Sequence, residues 1–292
     1  MKMDKRIKSI IEFLKKVLGA GLSTTGALWT ATEFCEAYFP GNSLLMQLCG
    51  NAFYIFIPSM GVAVVYGIYL LKDMYYIRYA ISDKQIIISP GDILRKKKGA
   101  IVIGINNQLI TDPDQIGRKS LHREIVRRYG EEKITEEFEK EKELRQMRGQ
   151  SKQNDFFTRE LAGKQFIFLM MSRIQKPEVA ATSKDEIQKA FYNLLSSHTD
   201  IRIDSNRLYC PLLGTGEGGV NASADEIAAL IVWEFMKFLK ENHGDMNRIK
   251  DFRVVVYWKD IFRVDWKEVR RKIDCLIENC QECSGLSLGS PL

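Results

Sequence analysis

A glycine-rich loop is the strongest chemical signal in the sequence. The segment 214–219 has four glycines in six residues, follows an apolar run that ends at Leu213, and precedes a helical pattern from Ala224. Glycine lets backbone N–H groups turn toward a ligand, and the N-terminus of the next helix adds a positive dipole end. The loop is therefore suited to hold a diphosphate. The loop has neither the Walker motif nor an early GxGxxG motif. A flexible strand-to-helix connection without a ligand is therefore the alternative.

Further hydrogen-bonding residues follow other predicted strands. Asp92 comes after one strand, and Asn106 and Asn107 end the next. A carboxylate accepts hydrogen bonds from an exocyclic amine, and asparagine amides both donate to and accept from ribose hydroxyls. Tyr257 ends the last predicted strand and offers an aromatic face. Ordinary turns at Asp92 and at the asparagines, and a core position for Tyr257, stay open as alternatives.

The sequence gives no sign of a catalytic nucleophile or a metal site. His122 is a lone histidine in a predicted helix, and no cysteine or serine pairs with it in a recognisable nucleophile motif. Cys275, Cys280 and Cys283 form a cluster without a nearby histidine to complete a zinc site. We therefore predict no metal and no cofactor.

Short β-rich runs alternate with amphipathic helical patterns from Tyr76 onward, which is typical of an α/β layer fold. The predicted strands are 76–81, 85–89, 100–105, 166–171, 207–213 and 252–258, and the predicted helices are 120–129, 135–148, 184–196, 224–242 and 266–278. Several strands are apolar throughout, so we expect a central sheet. The charged stretch 131–153 is predicted to be a solvated helix or a mobile excursion, with an oligomer contact as the alternative.

The first quarter of the chain has a different composition. The chain has 43 Lys and Arg in 292 residues, yet none lies between Lys16 and Lys72. Residues 51–71 are uncharged and long enough to cross a hydrocarbon core, and residues 17–35 form a weaker apolar run with small residues that favour close helix packing. We predict a transmembrane hairpin over residues 1–75. A buried hairpin in a soluble domain and a cleaved signal peptide are the alternatives.

Charges around the predicted spans indicate an orientation. Six basic residues precede the first span and others follow the second, whereas the connecting loop has acidic but no basic residues. The positive-inside rule then predicts that both termini and a domain over residues 76–292 are cytoplasmic. The net charge of +6 is explained by an anionic inner leaflet, and no basic face interleaved with aromatics indicates nucleic acid.

Three of these motifs together resemble the macro-domain family. Gly91-Asp92-Ile93, the run 100–107 and the segment Pro211–Gly219 occur in the family's order and approximate spacing, over about two thirds of the chain. The resemblance implies a macro-domain-like central mixed sheet flanked by helices, preceded by the hairpin. It implies that the aspartate holds an adenine amino group, that the asparagines lie by the distal ribose, and that the glycine loop wraps the diphosphate. The ligand-binding residues predicted in this way are Asp92, Ile93, Asn106, Asn107, Ser120, Leu121, His122, Leu213, Gly214, Thr215, Gly216, Glu217, Gly218, Gly219, Val220 and Tyr257.

The sequence departs from the family after Asn107. Typical macro domains have a second glycine-rich phosphate loop there, which positions the attacking water in hydrolytic members, whereas this chain has residues 108–122 without such a loop. This favours a receptor over an enzyme. Segment 120–122 is similar to the branch of macro domains fused to two transmembrane helices in bacterial Thoeris anti-phage systems.

That branch implies a sensor-effector in the bacterial inner membrane. It would bind an ADP-ribose derivative made by a partner TIR-domain enzyme, form a homo-oligomer and disrupt the lipid bilayer. We expect Glu217 to meet a cationic or amine-bearing group on the ligand, which makes an amino-acid conjugate one option. A membrane-tethered ADP-ribosyl hydrolase and a structural membrane adaptor are the alternatives.

Overall fold

The chain divides into two compact units, residues 1–76 and 77–292. The computed structural model describes residues 5–38, 52–81, 83–112, 116–117, 120–148, 155–175, 179–197, 203, 206–215, 220–241, 249–284 and 288–289. The division lies one residue after the predicted end of the hairpin.

The described residues of the first unit form two helices, α1 (Lys5–Tyr38) and α2 (Ala52–Tyr75). They pack closely through small residues. A Cβ added at Gly21 would lie 3.3 Å from the Cβ of Ala63, and one added at Gly67 would lie 3.2 Å from a methyl group of Val17. Such close approach is what small residues permit between helices.

Large apolar side chains of these two helices are exposed. Leu18 and Leu22 on α1 are 63% and 72% exposed, and Val65 and Ile68 on α2 are 67% and 63% exposed. The helices form where we predicted the spans 17–35 and 51–71, apart from Asn51, which lies outside the described residues. Within the part of the chain that the structure describes, neither these helices nor any other combines the length and hydropathy required to span a membrane.

The second unit is built on one mixed sheet flanked by helices, as predicted. Its strands are β1 (Ile77–Ile81), β2 (Lys84–Pro90), β3 (Ala100–Asn106), β4 (Phe156–Leu161), β5 (Lys164–Gln175), β6 (Val179–Ala181), β7 (Arg207–Pro211), β8 (Asp251–Val256) and β9 (Leu288–Gly289). The strand order is β4-β5-β3-β7-β8-β2-β1-β9, with β6 paired to β5. Neighbours among β5, β3, β7, β8 and β2 are parallel, and the β4–β5, β5–β6, β1–β2 and β1–β9 pairs are antiparallel.

In the described part of this unit, five helices and two short 3-10 helices connect the strands. They are η1 (Ile93–Arg95), α3 (Leu121–Tyr129), α4 (Glu131–Arg148), α5 (Lys184–Ser196), α6 (Ala224–Glu241), η2 (Trp258–Asp260) and α7 (Trp266–Ser284). On one face of the sheet, the fully buried Phe252 stacks on Phe235 of α6 with ring centroids 4.4 Å apart. On the other face, Phe138 of α4 packs edge-on against Phe157 and Phe168. Aromatic burial on both faces therefore fixes the sheet between the helices.

The described part of the charged stretch 131–153 is a helix, as predicted, with most of its residues unburied, but this helix also makes contacts with the sheet that the sequence did not predict. Its described part, Glu131–Arg148, forms a helix that buries Phe138 completely. Glu141 is also buried, and its carboxylate lies 3.0 Å from the guanidinium of Arg159 on β4. This helix is therefore packed on the sheet and tied to its edge strand, because its few apolar residues are large and its charges are paired across elements.

The five parallel strands end at one edge, here called the carboxyl edge. Pro90 at the end of β2 is level with Val256 at the end of β8, and Pro211 of β7 is level with Val255. The backbone N–H of Gly91 donates a hydrogen bond to the carbonyl of Val256 at 2.8 Å. This bond connects the chain that leaves β2 with the end of β8. Loops that follow different strands therefore meet at this edge, where ligands bind in open α/β sheets.

Candidate functional site

Asp92 begins the loop that leaves β2. One carboxylate oxygen accepts a hydrogen bond from the backbone N–H of Leu94 at 2.9 Å and caps η1. The other lies 3.3 Å from Arg95 and 3.7 Å from Arg128 at the end of α3. Ile93 is buried beneath this turn. The carboxylate is thus fixed in direction by a backbone donor and two cations, and it keeps lone pairs that a ligand amine could meet.

The two asparagines after β3 have different environments. Asn106 is buried, and its side-chain oxygen accepts hydrogen bonds from the backbone N–H groups of Gln108 and Ile110, at 3.1 and 3.0 Å. Asn107 is exposed, and its side chain has no hydrogen-bond partner in the described part of the chain. Asn106 therefore holds the loop together, whereas Asn107 has its amide available.

This difference gives a stability prediction. We expect Asn106→Ala to lower the free energy of unfolding by about 1–3 kcal/mol, because two backbone donors lose their acceptor. Asn107→Ala is expected to change it by less than about 0.5 kcal/mol, as for an ordinary surface substitution. Urea unfolding of both variants measures this, and equal losses would contradict the assignment.

The described part of the glycine loop is a closed turn. Leu213 is buried, and Gly214 has a left-handed backbone with φ +71°. The carbonyl of Gly214 accepts a hydrogen bond from the N–H of Val220 at 2.9 Å, and the Thr215 hydroxyl donates to the carbonyl of Leu212 at 2.8 Å. The ends of the loop are therefore held together. The predictions for Gly216, Glu217, Gly218 and Gly219 fall outside the described residues.

The N-terminus of α6 is less free for an anion than the sequence suggested. Its first turn contains Asp225 and Glu226, which lie 2.9 Å from Lys272 and 2.8 Å from Lys184. These carboxylates already occupy the positive end of the helix dipole. A diphosphate at this edge would therefore depend on N–H groups of the loop itself.

Ser120, Leu121 and His122 are used by the helix and the core. The Ser120 hydroxyl caps α3 by accepting from the N–H of Arg123 at 3.1 Å, and Leu121 packs against the core. His122 is 3% exposed and stacks on Phe138, with ring centroids 5.4 Å apart. Its Nε2 has no hydrogen-bond partner among the described residues, and burial lowers the pKa of the imidazole from 6.5 to about 4. His122 is therefore a neutral core side chain at neutral pH.

An aromatic loop follows β8. Tyr257 is 48% exposed and comes directly after Val256, so it adjoins the turn at Asp92. Two further aromatic residues, Trp258 and Phe262, are also exposed. Sequence reasoning missed both of these and Arg128; the aromatic residues clustered in 257–262 were the signal that could have revealed the loop.

The predicted ligand groups therefore divide into two sets. Asp92, Asn107, the turn at Gly214 and Tyr257 follow four neighbouring strands and come together at the carboxyl edge. Asn106, Ser120 and His122 have structural roles beneath that edge. Among the described residues, no group of histidine, cysteine and carboxylate side chains could hold a metal ion. The edge offers a carboxylate acceptor, a free amide, a glycine turn and an aromatic ring.

The chain matches a known family. The family model described as "Thoeris protein ThsA, Macro domain" matches residues 86–248, more than half of the chain. The chain belongs to the ThsA macro-domain family. The matched region contains the turn at Asp92, both asparagines and the whole glycine loop, and it ends before Tyr257.

Solved macro domains have a similar fold. The Oceanobacillus iheyensis macrodomain with ADP aligns over 70% of this ThsA-family chain and 97% of its own, with 18% identity and a TM-score of 0.50. The Trypanosoma brucei macrodomain in complex with ADP-ribose has 15% identity over 64% and 68% of the two chains, with a TM-score of 0.43. The macrodomain of Thermus aquaticus DarG has 15% identity over 59% and 97%, with a TM-score of 0.38. None of the curated proteins matches the chain.

Proposed function

We propose that this ThsA-family protein is a membrane-anchored receptor for an ADP-ribose-derived nucleotide and an effector of anti-phage defence. Nucleotide binding is supported by the position of four groups at one edge of a macro-domain sheet. These are Asp92, Asn107, the turn at Gly214 and Tyr257. That the similar Oceanobacillus iheyensis macrodomain was solved with ADP supports an adenine nucleotide as the ligand class.

Each group at the edge has a role in this proposal. The fixed carboxylate of Asp92 accepts a hydrogen bond from the adenine amine, and Tyr257 packs beside the base. The amide of Asn107 meets ribose hydroxyls, and N–H groups of the glycine loop hold the diphosphate. Glu217 meets a cationic or amine-bearing group, which suits an amino-acid conjugate of ADP-ribose. A TIR-domain enzyme supplies this nucleotide.

The membrane part of the proposal is supported by the first unit. Leucine and isoleucine side chains are exposed on α1, and valine and isoleucine side chains are exposed on α2. A helix that is apolar on its outer surface is stable in a protein core or in lipid. We place this unit in the bacterial inner membrane with both termini cytoplasmic, as the flanking charges indicate. Nucleotide binding then promotes homo-oligomers that disrupt the bilayer.

We propose binding without hydrolysis. The imidazole of His122 is buried and neutral, and the amide oxygen of Asn106 is bound to two backbone N–H groups, so neither is placed to activate water. A product assay tests this: release of free ADP-ribose from a modified substrate, lost on Asn107→Ala, would establish a hydrolase instead.

Calorimetry on the full chain in lipid nanodiscs tests the receptor. We expect ADP-ribose or an amino-acid conjugate of it to bind, and Asn107→Ala to weaken binding by about fivefold, the equivalent of one hydrogen bond. Lysine, AMP and ribose 5-phosphate serve as partial ligands that bind more weakly. If no ADP-ribose compound binds to the folded chain, the receptor proposal fails.

Leakage of dye-loaded vesicles tests the effector separately. We expect the bound nucleotide to increase leakage from vesicles that contain the protein. A chain that binds nucleotide but leaves the vesicles intact would retain the receptor and remove the effector.

A further inference from the structure

A recess on one face of the sheet gathers cations around the ring of Tyr209. Arg207 of β7 lies opposite Asp251 of β8, and Tyr209 lies opposite Arg253, so the four side chains point to the same face. The guanidinium of Arg253 lies over the Tyr209 ring, 5.9 Å from its centroid, and the ammonium of Lys96 lies over the same ring at 5.8 Å. Arg207 donates a hydrogen bond to the Tyr209 hydroxyl. Three cations therefore surround one aromatic side chain.

One carboxylate lies in this recess, and both of its oxygens accept hydrogen bonds from arginine. Arg253 donates to the two oxygens of Asp251, at 2.8 and 2.7 Å, and the Nε of Arg207 donates to Oδ2 as well. Asp251 is buried, so this trio belongs to the packed part of the fold. The carboxylate balances the charge of one guanidinium group, and the recess stays positive before Lys96 is counted.

Lys96 brings a further positive charge that no described carboxylate balances by an ion pair. Its half-buried ammonium donates no hydrogen bond to a described residue. Its Nζ and a methyl group of Val255 both lie 3.5 Å from the position that a Cβ of Gly91 would occupy. Burial and the positive charge of Arg253 lower the pKa of Lys96, and Asp92 offsets only part of this. An anion in the recess would relieve the repulsion between these cations.

The backbone of segment 91–99 holds Lys96 in this position. The segment connects β2 to β3, which are separated in the sheet by β8 and β7, and it packs Ile93 and Leu94 on the same face as Tyr209. Gly99 has φ +103°, and an added Cβ would lie 2.7 Å from the carbonyl oxygen of Arg207 and 3.1 Å from the Tyr209 ring. The segment therefore lies directly on β7, and this contact places Lys96 above the recess.

The charges around the recess favour an anion as its occupant. Strands β2, β3, β7 and β8 and segment 91–99 contain seven cations and two carboxylates. The second carboxylate, Asp92, lies next to Arg95 and Arg128, and Lys84 pairs with Asp83 in the turn before β2. The seven cations are Lys84, Arg95, Lys96, Lys97, Lys98, Arg207 and Arg253.

The exposure of the guanidinium groups indicates the size of the anion. The side chains of Arg207 and Arg253 are 32% and 26% exposed, and Lys96 is half-buried above them. A small anion reaches such groups, whereas a broad acidic surface does not.

We propose that this recess is a phosphate site, in which a small phosphate group bridges Lys96 and the guanidinium groups of Arg207 and Arg253. Phosphate oxygens are bound by lysine as a point charge and by arginine through its planar set of N–H donors. The ligand is inorganic phosphate or a small phosphate monoester, because the cations recognise the phosphate group itself. This site is separate from the nucleotide site proposed above, which does not use Lys96.

Thermal unfolding of the full chain in phosphate and chloride buffers tests the site. Low millimolar inorganic phosphate is compared with chloride at equal ionic strength, because concentrated phosphate stabilises proteins in general. We expect phosphate to raise the unfolding midpoint of the wild type, since a ligand that binds the folded state stabilises it. We expect Lys96→Met to weaken phosphate binding by about tenfold, the size of one charged hydrogen bond, and to lose most of this increase.

Lys97→Met is the matched control. Lys97 is exposed and makes the same charge change one residue away, so this variant is expected to keep the response of the wild type. Methionine at position 96 retains an apolar stem and removes a charge that Arg253 repels, so we expect Lys96→Met to be at least as stable as the wild type in chloride. A lysine with only a structural role would not combine full stability in chloride with a lost response to phosphate.

Three results overturn the proposal. A wild type that does not respond to phosphate removes the site, and equal responses of the two variants show that phosphate acts on the net charge and not at Lys96. A response that disappears with saturating ADP-ribose places the phosphate group in the nucleotide site instead.

Glycerol 3-phosphate distinguishes the two sources of the phosphate group. A larger effect than that of inorganic phosphate at equal concentration assigns a phosphate monoester as the ligand, and a smaller effect assigns the free ion.

Discussion

Gly214→Ala is expected to weaken ADP-ribose binding by about tenfold or more, because the added methyl group would overlap neighbouring side chains and displace the proposed diphosphate loop, and such overpacking costs about 1–3 kcal/mol. Gly214 has φ +71° at the start of the proposed diphosphate loop. An added Cβ would lie 2.7 Å from the Cδ1 of Ile187 on α5 and 3.0 Å from a methyl group of Val220. Val220 also donates the hydrogen bond that closes the loop, so the methyl group would push the two ends of the loop apart.

Gly163→Ala is the matched control for this variant. Gly163 also has φ +71°, but an added Cβ meets no atom within 4 Å. It lies in the turn between β4 and β5, at the edge of the sheet opposite the candidate site. Both variants therefore carry the same backbone strain, and only Gly214→Ala distorts the loop. Calorimetry with ADP-ribose and thermal unfolding of both variants separate binding from stability; equal affinities would contradict a role of this loop in binding.

The order of the elements could be predicted because each parallel strand of this sheet contains a run of at least three apolar residues. The runs at 100–105 and 166–171 correspond to β3 and β5, which are buried on both faces. Strand β4 was missed because half of its residues are polar or charged. Its place in the sheet depends on pairing with β5 and on the ion pairs between Arg159 and α4, and neither contact has a local sequence signature.

The candidate site could be predicted at the level of loops and not at the level of single side chains. Loops that follow parallel strands must meet at one edge, which brings Asp92, Asn107, Gly214 and Tyr257 together. The different roles of Asn106 and Asn107 depend on which side-chain amide accepts hydrogen bonds from the backbone of its own loop. That choice is made by the hydrogen bonds to Gln108 and Ile110, which the sequence alone does not specify.

His122 gives the second large prediction, a loss of stability in acid. Burial lowers its pKa in the folded chain from 6.5 to about 4. Between pH 6.5 and 4 the unfolded chain therefore binds a proton at His122 that the folded chain does not bind, and the free energy of unfolding falls as the pH falls. Above pH 6.5 the imidazole is neutral in both states and contributes no slope. The interval from 6.5 to 4 corresponds to about 3 kcal/mol.

His122→Phe isolates this contribution from those of the carboxylates. Phenylalanine keeps the ring against Phe138 and removes the buried Nε2, which has no hydrogen-bond partner in the described part of the chain, so we expect the variant to be at least as stable as the wild type at pH 7. Urea unfolding of both chains from pH 7 to pH 4 measures the difference, which should grow by about 3 kcal/mol as the wild type loses stability. Parallel curves would mean that the imidazole is accessible to water. The same variant decides the ligand role predicted for His122, because a core side chain can be replaced without changing the affinity for ADP-ribose, whereas a ligand contact cannot.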